Sequence, residues 1–265
     1  MSATNPSTPR DTTTGEEQYT RTTIFAIWLA ATLPMGILAW IVWPTTKDHV
    51  SLDPGVFFWL LMIAGMIWQC ILSLVILKRE LGTLAWSTLA PRIWAQHPRD
   101  PKTGMRNPKL WWHLIPIAIV FAGLTMLESE LLDPLSGAIG LHAPKGTNIQ
   151  DLVSDRFIGD WWLMAIALVS CAFNYVLGEE LLFRGVLLPR MRGAFGRWDW
   201  LANNTLFTAY HVHLFWGLPG IFLTSLPFSW AARRYRTFWF SVVLHGIEGI
   251  VLLVVVLGVI TGKAT

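Results

Sequence analysis

Three groups of ionisable residues lie where an apolar chain has least reason to carry them. Glu179, Glu180 and Arg184 interrupt an apolar run that opens at residue 161 and resumes through Leu181, Leu182, Phe183, Val186, Leu187 and Leu188. His211 falls in the next apolar run, and His245 with Glu248 in the last. On insertion scales a charge at the centre of a spanning helix costs about 2.5–3.5 kcal/mol, so such residues point to function. Glu180 and Arg184 are i,i+4 and can pair on one helix face, while Glu179 points about 100° away. The pairing neutralises one glutamate and leaves the other for chemistry. Two adjacent carboxylates in a low dielectric do not both ionise cheaply, which favours one that takes a proton near neutral pH. Carboxylates and imidazoles from three helices supply a general base, an acid and an oxyanion donor around a water.

The bland readings are specific too. A histidine in an apolar helix is often a satisfied core residue, and Glu248, one turn from His245, can simply bond to it and knit helices. Asn204 and Phe207 precede His211 by seven and four residues, so Asn204 shares its face. His213 would lie about 200° round a continuous helix from His211, so the two would not face one cavity. Neither Gly-x-Ser-x-Gly nor His-Glu-x-x-His occurs, which removes the signatures of serine hydrolases and single-helix zincins. Cys70 and Cys171 sit in apolar runs without partners at metal-ligand spacing and read as small buried hydrophobes.

The elements that must position these groups are spanning helices. The chain of 265 residues is 53% hydrophobic and only 14% charged, with a mean hydropathy of +0.47; soluble domains carry nearer a quarter charged residues. Uncharged runs cover 24–43, 55–77, 110–127, 161–178, 200–232 and 238–260, each of a length to span or nearly so. The fifth is broken by the turn signal Gly217-Leu218-Pro219-Gly220 and reads as two short helices, the second spanning or re-entrant. The expected fold is therefore an all-α polytopic transmembrane bundle of about seven spans. Residues 1–22 are polar and read as a disordered cytoplasmic N-terminus, 23–160 as N-terminal spans and loops, and 161–262 as the catalytic membrane core.

Many of the 16 tryptophans gather at run ends, where indole favours the headgroup level. Lys and Arg collect in 78–109, 190–197 and 233–236, and the acidic loop holds Glu128, Glu130, Asp133, Asp151, Asp155 and Asp160. The positive-inside rule then places the N-terminus and the basic loops in the cytoplasm, with the plasma membrane as the expected location. A net charge of +3 is too small and uneven for a nucleic-acid partner; the expected partners are the bilayer and a protein or peptide substrate within it.

Glu179-Glu180-Leu181-Leu182-Phe183-Arg184-Gly185 resembles the first motif, Glu-Glu-x-x-x-Arg, of the CAAX-processing and bacteriocin-processing (CPBP) intramembrane proteases, also called the Abi family. Phe207-x-x-x-His211 resembles their second motif, and His245 the histidine of a later His-x-x-x-Asn motif. The resemblance covers roughly 161–260. It implies endoproteolysis like that of CAAX prenyl protease 2, with Glu179 and His211 activating a water, Glu180 and Arg184 as a supporting pair, and His245 stabilising the oxyanion. Gly249 stands where the family has asparagine, leaving half of the oxyanion hole to Glu248 or Asn204. No cofactor is expected; the ligand set that zinc would use is Glu179, His211 and His245. The competing readings are a catalytically inactive scaffold or immunity-type protein, favoured by Gly249, and a proton-coupled transporter, which lacks visible inverted repeats.

Overall fold

In a bilayer every backbone polar group must be satisfied internally, which for an apolar chain of this kind means helices. The computed structural model, which describes residues 17–263, is all-α, and among the described residues no β-strand forms. Helix α1 (Arg21–Ile37) starts on Thr20, whose hydroxyl accepts from the Thr23 N–H at 3.1 Å, and continues through a π-turn at Leu38–Val42 as far as Thr46. Helix α2 (Pro54–Leu81) has an Asp53 cap, proline at its first position and a left-handed Gly82 at its end. Helix α3 (Leu114–Leu127) is lengthened at both ends, so that the apolar element runs Pro108–Ala138.

Helix α4 (Trp162–Ala172) passes into two π-helical segments, Phe173–Leu177 and Leu181–Leu187, with Gly178, Glu179 and Glu180 between them. The widened turns shift the helical ladder to i→i+5 bonds, and side chains from elsewhere bond its carbonyls as well. Asn203 Nδ2 donates to Phe183 O at 2.8 Å, and Arg92 donates to Gly185 O and Val186 O at 3.2 Å. Arg92 is thus not a free loop charge; it is 7% exposed and also paired with Glu80 at 2.8 Å. A Cβ at Gly178 would lie 2.6 Å from Phe173 O and 2.9 Å from Met66 O. Only glycine lets α2 approach this closely beside the glutamates.

Helices α5 (Asp199–Tyr210), α6 (Leu218–Tyr235) and α7 (Phe238–Thr261) complete the bundle. Six elements are long and apolar enough to cross a membrane, against about seven expected. The difference lies in α5, whose 12 residues reach about 18 Å of a roughly 30 Å hydrocarbon core. The chain continues as a 3-10 segment, Val212–Gly217, which opens the next membrane-length element, Val212–Tyr235, and runs alongside α1. Arg21 bonds to Ala194 O at 3.3 Å, Trp28 to Leu206 O at 2.7 Å and Trp40 to Val212 O at 2.9 Å. Irregular backbone at this depth is tolerated because protein covers it. The helix break comes at His211, six residues before the glycine-proline turn that signalled it in the sequence.

One apolar cluster joins Ile24 and Met35 of α1, Met66 and Leu77 of α2, Leu182 and Phe183, and Phe207 of α5. The segments 23–160 and 161–262 therefore share a core. Residues 1–16 of the polar N-terminus lie outside the described residues. Residues 17–22 are ordered by pairing that composition does not reveal: the Tyr19 N–H donates to Arg190 O at 2.9 Å, and Gln18 Oε1 accepts from the Gly193 N–H at 3.1 Å.

Candidate active site

The two adjacent glutamates diverge as their spacing requires. Glu180 is fully buried and turns away from solvent-sized space. Its Oε1 lies 3.1 Å from Arg184 Nη1, also fully buried, and accepts from His245 Nδ1 at 3.0 Å; its Oε2 accepts from the Ser241 hydroxyl. The Arg184 contact has the geometry of a charge pair rather than a hydrogen bond. The guanidinium is further held by Ser229 Oγ at 3.3 Å and by the Phe207 ring, whose centroid is 4.0 Å away. Glu180 therefore joins the first motif to α7 and fixes the ring of His245.

Glu179, 3% exposed, faces a cavity of about 380 Å³. Its Oε1 lies 3.7 Å from His211 Nε2 and its Oε2 4.0 Å from His245 Nε2. Among the described residues Oε2 has no hydrogen-bond partner, the state of a buried acceptor that a water normally satisfies. The break after Tyr210 turns the His211 ring back, so that Nδ1 meets Phe207 O at 2.8 Å. A carbonyl only accepts, so Nδ1 carries the proton and Nε2 presents a lone pair toward Glu179. Phe207 thus serves twice, holding His211 through its backbone and Arg184 through its ring.

Glu248 also lines this cavity, 3.7 Å from His245 Nε2. Asn204 does not: its Nδ2 donates to Phe222 O at 3.0 Å and its Oδ1 accepts from Ser229 at 3.4 Å. Gly249 lies against Tyr175, and a Cβ there would come within 2.5 Å of the ring. The Tyr175 ring fills the space an asparagine side chain would need and packs edge-on against His245 at 4.8 Å. His213 corrects the helical-wheel expectation: it lines the same cavity as His211, and the two rings stack at 5.4 Å. The wheel failed because the helix ends between Tyr210 and His211.

Tyr175, His213 and the wall built by Met35, Phe58, Met62 and Met66 of α1 and α2 carried no signal in the sequence, because their roles depend on tertiary approach. Behind Glu179, the Tyr210 hydroxyl, the Gln69 amide and the Ser73 hydroxyl are buried without formed hydrogen bonds. The Tyr210 hydroxyl lies within interaction range of the Gln69 and Glu179 side chains. As for zinc, Glu179, His211 and His245 reach one cavity, yet among the described residues no three His, Cys, Asp or Glu side chains converge into a metal-holding group. One nitrogen of each imidazole is already committed, to Phe207 O and to Glu180.

A helical bundle with six membrane-length apolar elements and a buried Glu–Arg–His cluster at its centre belongs to the class of integral multi-pass membrane proteins. Residues 160–261 match a family model described as Rce1-like, type II CAAX prenyl endopeptidase Rce1-like, a family of proteases. The match covers the C-terminal part of the chain, which is thus similar to that family, and it spans the same residues as the three motifs that resemble the CPBP proteases. No curated protein and no solved structure matches the chain.

Proposed function

We propose that this protein is an intramembrane endopeptidase that cleaves a peptide bond in a membrane-associated or lipidated protein or peptide. The observation that carries the reading is Glu179 facing the lone pair of His211 at 3.7 Å across a cavity inside the bundle. That separation suits a water bonded to both, as general-base catalysis requires. Water attacks the scissile carbonyl carbon, its proton passing to the Glu179–His211 pair and then to the departing amine nitrogen. The developing oxyanion is met by His245, which, doubly protonated, donates from Nε2 while Nδ1 stays with Glu180. The Tyr175 hydroxyl, at the same cavity, is the second donor in place of the asparagine that Gly249 lacks. Arg184 balances Glu180 and keeps that carboxylate in place for His245.

The proposed mechanism is metal-free, and the N-terminus and basic loops are cytoplasmic in the plasma membrane. Gly249 favours one other reading, a family member that keeps the fold without catalysis. Comparative membrane proteomics of wild type and Glu179→Ala cells separates the two. An uncleaved precursor that accumulates only in the variant supports the protease, and indistinguishable proteomes support the scaffold.

A further inference from the structure

The basic segments meet in a second cavity of about 630 Å³, distinct from the one at Glu179. Arg99 and Lys102 enter from the loop before α3, Arg192 and Arg197 from the turns before α5, and Arg233, Arg234 and Arg236 from the end of α6. Among the described residues, the carboxylates that line it are Asp100 and Asp199, and both are engaged locally. Asp100 Oδ1 accepts from the Lys102 and Thr103 N–H groups at 2.7 and 3.0 Å, and Asp199 pairs with Arg233. Like charges such as Arg99, Lys102, Arg197 and Arg234 gathered this way repel unless an anion sits among them. Guanidinium groups are suited to phosphate, which they bind in bidentate fashion.

An apolar groove of about 670 Å³ adjoins this cavity. Ile117, Val120 and Leu124 of α3 form one wall, and Leu226 and Pro227 of α6 the other. Trp200 and Trp230 line both the groove and the basic cavity. Indole rings at such a junction mark the headgroup level of a bilayer. The groove lies on the outward side of α6; the opposite side of the same helix presents Thr224, Ser225 and Phe228 to the Glu179 cavity.

We propose that the basic cavity and the adjoining groove form one binding site for an anionic phospholipid, with its phosphate among the arginines and an acyl chain between α3 and α6. Charge complementarity selects this occupant. A neutral lipid offers no anion to Arg99, Arg197 and Arg234, and free phosphate leaves the groove without hydrocarbon. Basic pockets between helices at the cytoplasmic leaflet, where anionic lipids concentrate, bind such headgroups.

The test uses the full-length protein purified in neutral detergent, with melting temperature and native mass spectrometry as readouts. Phosphatidylglycerol, phosphatidylcholine of the same acyl chains, and inorganic phosphate are added at equal concentration. A ligand that binds only the folded state raises the melting temperature, so phosphatidylglycerol should raise it by several degrees and remain bound as a one-to-one adduct. The double variant Arg197→Gln/Arg234→Gln should lose the shift, and Val120→Trp, which fills the groove, should reduce it. Lipid-free melting temperatures close to wild type establish that both variants fold; for a variant that does not, the adduct counted on wild type under competition by phosphatidylcholine decides. An equal shift from phosphatidylcholine, an equal shift from inorganic phosphate, or full retention in the double variant overturns the site. None of these readouts depends on proteolysis.

Discussion

Glu180→Ala should destabilise the protein far more than Glu179→Ala, although both should abolish cleavage. Glu180 bears three buried contacts: the Arg184 charge at 3.1 Å, His245 Nδ1 at 3.0 Å and the Ser241 hydroxyl. Removing one partner of a buried ion pair costs about 3–5 kcal/mol, because the other charge is left uncompensated. Each orphaned hydrogen-bonding group adds on the order of 1 kcal/mol. Arg184 is fully buried, with no route by which water could solvate it after the change. Glu179, by contrast, has one oxygen without a partner and its closest ionisable contact at 3.7 Å. Its loss also removes a like charge beside Glu180 and should cost roughly 1 kcal/mol or less. At about 2–4 °C per kcal/mol for a chain near this size, the summed loss of about 5–7 kcal/mol means that Glu180→Ala should melt roughly 10–28 °C below wild type in detergent, and Glu179→Ala within about 4 °C. Glu180→Gln, which retains the volume and a bond to Ser241, should still fall most of the way. Equal losses for the two alanine variants, or a harmless Glu180→Gln, would refute the assignment of Arg184 to Glu180.

In a cleavage assay, Glu179→Gln and His211→Ala should each reduce kcat by about 10²–10⁴ with near-native melting, the range expected for removing a general base; retention of half the activity in either would remove the pair from catalysis. Gly249→Asn, which restores the family's residue, should destabilise by about 1–3 kcal/mol rather than activate, because the new Cβ meets Tyr175 at 2.5 Å; higher activity at unchanged stability would contradict the packing. Chelator-washed protein should contain no stoichiometric zinc and keep its activity, measured by metal mass spectrometry with the cleavage assay; one zinc per chain, with activity lost on stripping and restored on addition, would replace the water-only mechanism with a Glu179–His211–His245 site. Reporter fusions after Lys109 and after Gly140 should lie on opposite sides of the membrane, and finding both on one side would overturn the topology.

Most of the helices were legible because an uncharged run of about twenty residues has few other uses, and Glu180–Arg184 because i,i+4 spacing survives even a π-helical segment. The boundaries were less legible. Periodicity extended α5 through His211 to Gly217, since no residue before that turn announces a break, and the error hid His213 from the site. The distinct roles of the two glutamates were visible as divergent directions on a helix. Their partners on α7 were not, because Ser241 and His245 meet Glu180 only through the packing of α4 and α7. Tyr175 illustrates the remaining gap. Its approach to Gly249 is a matter of volume, and a departure that reads in sequence as a missing side chain is in three dimensions a space already filled.

The break at His211 also works as a depth gauge. Helix α5 begins at the basic end of the bundle and stops after 12 residues, which puts Glu179 and His211, the pair proposed to activate water, about 18 Å below that end. On the proposed function, a peptide bond presented at the headgroups of that end reaches the pair only with a lead. An extended strand advances about 3.3 Å per residue, so some five or six unwound residues must enter the bundle before the bond meets Glu179. On that proposal, length of accessible, unstructured chain, rather than side-chain identity at the cut, is the first thing such a substrate must possess. A folded domain abutting the membrane more closely than that would hold its own cleavage site out of reach.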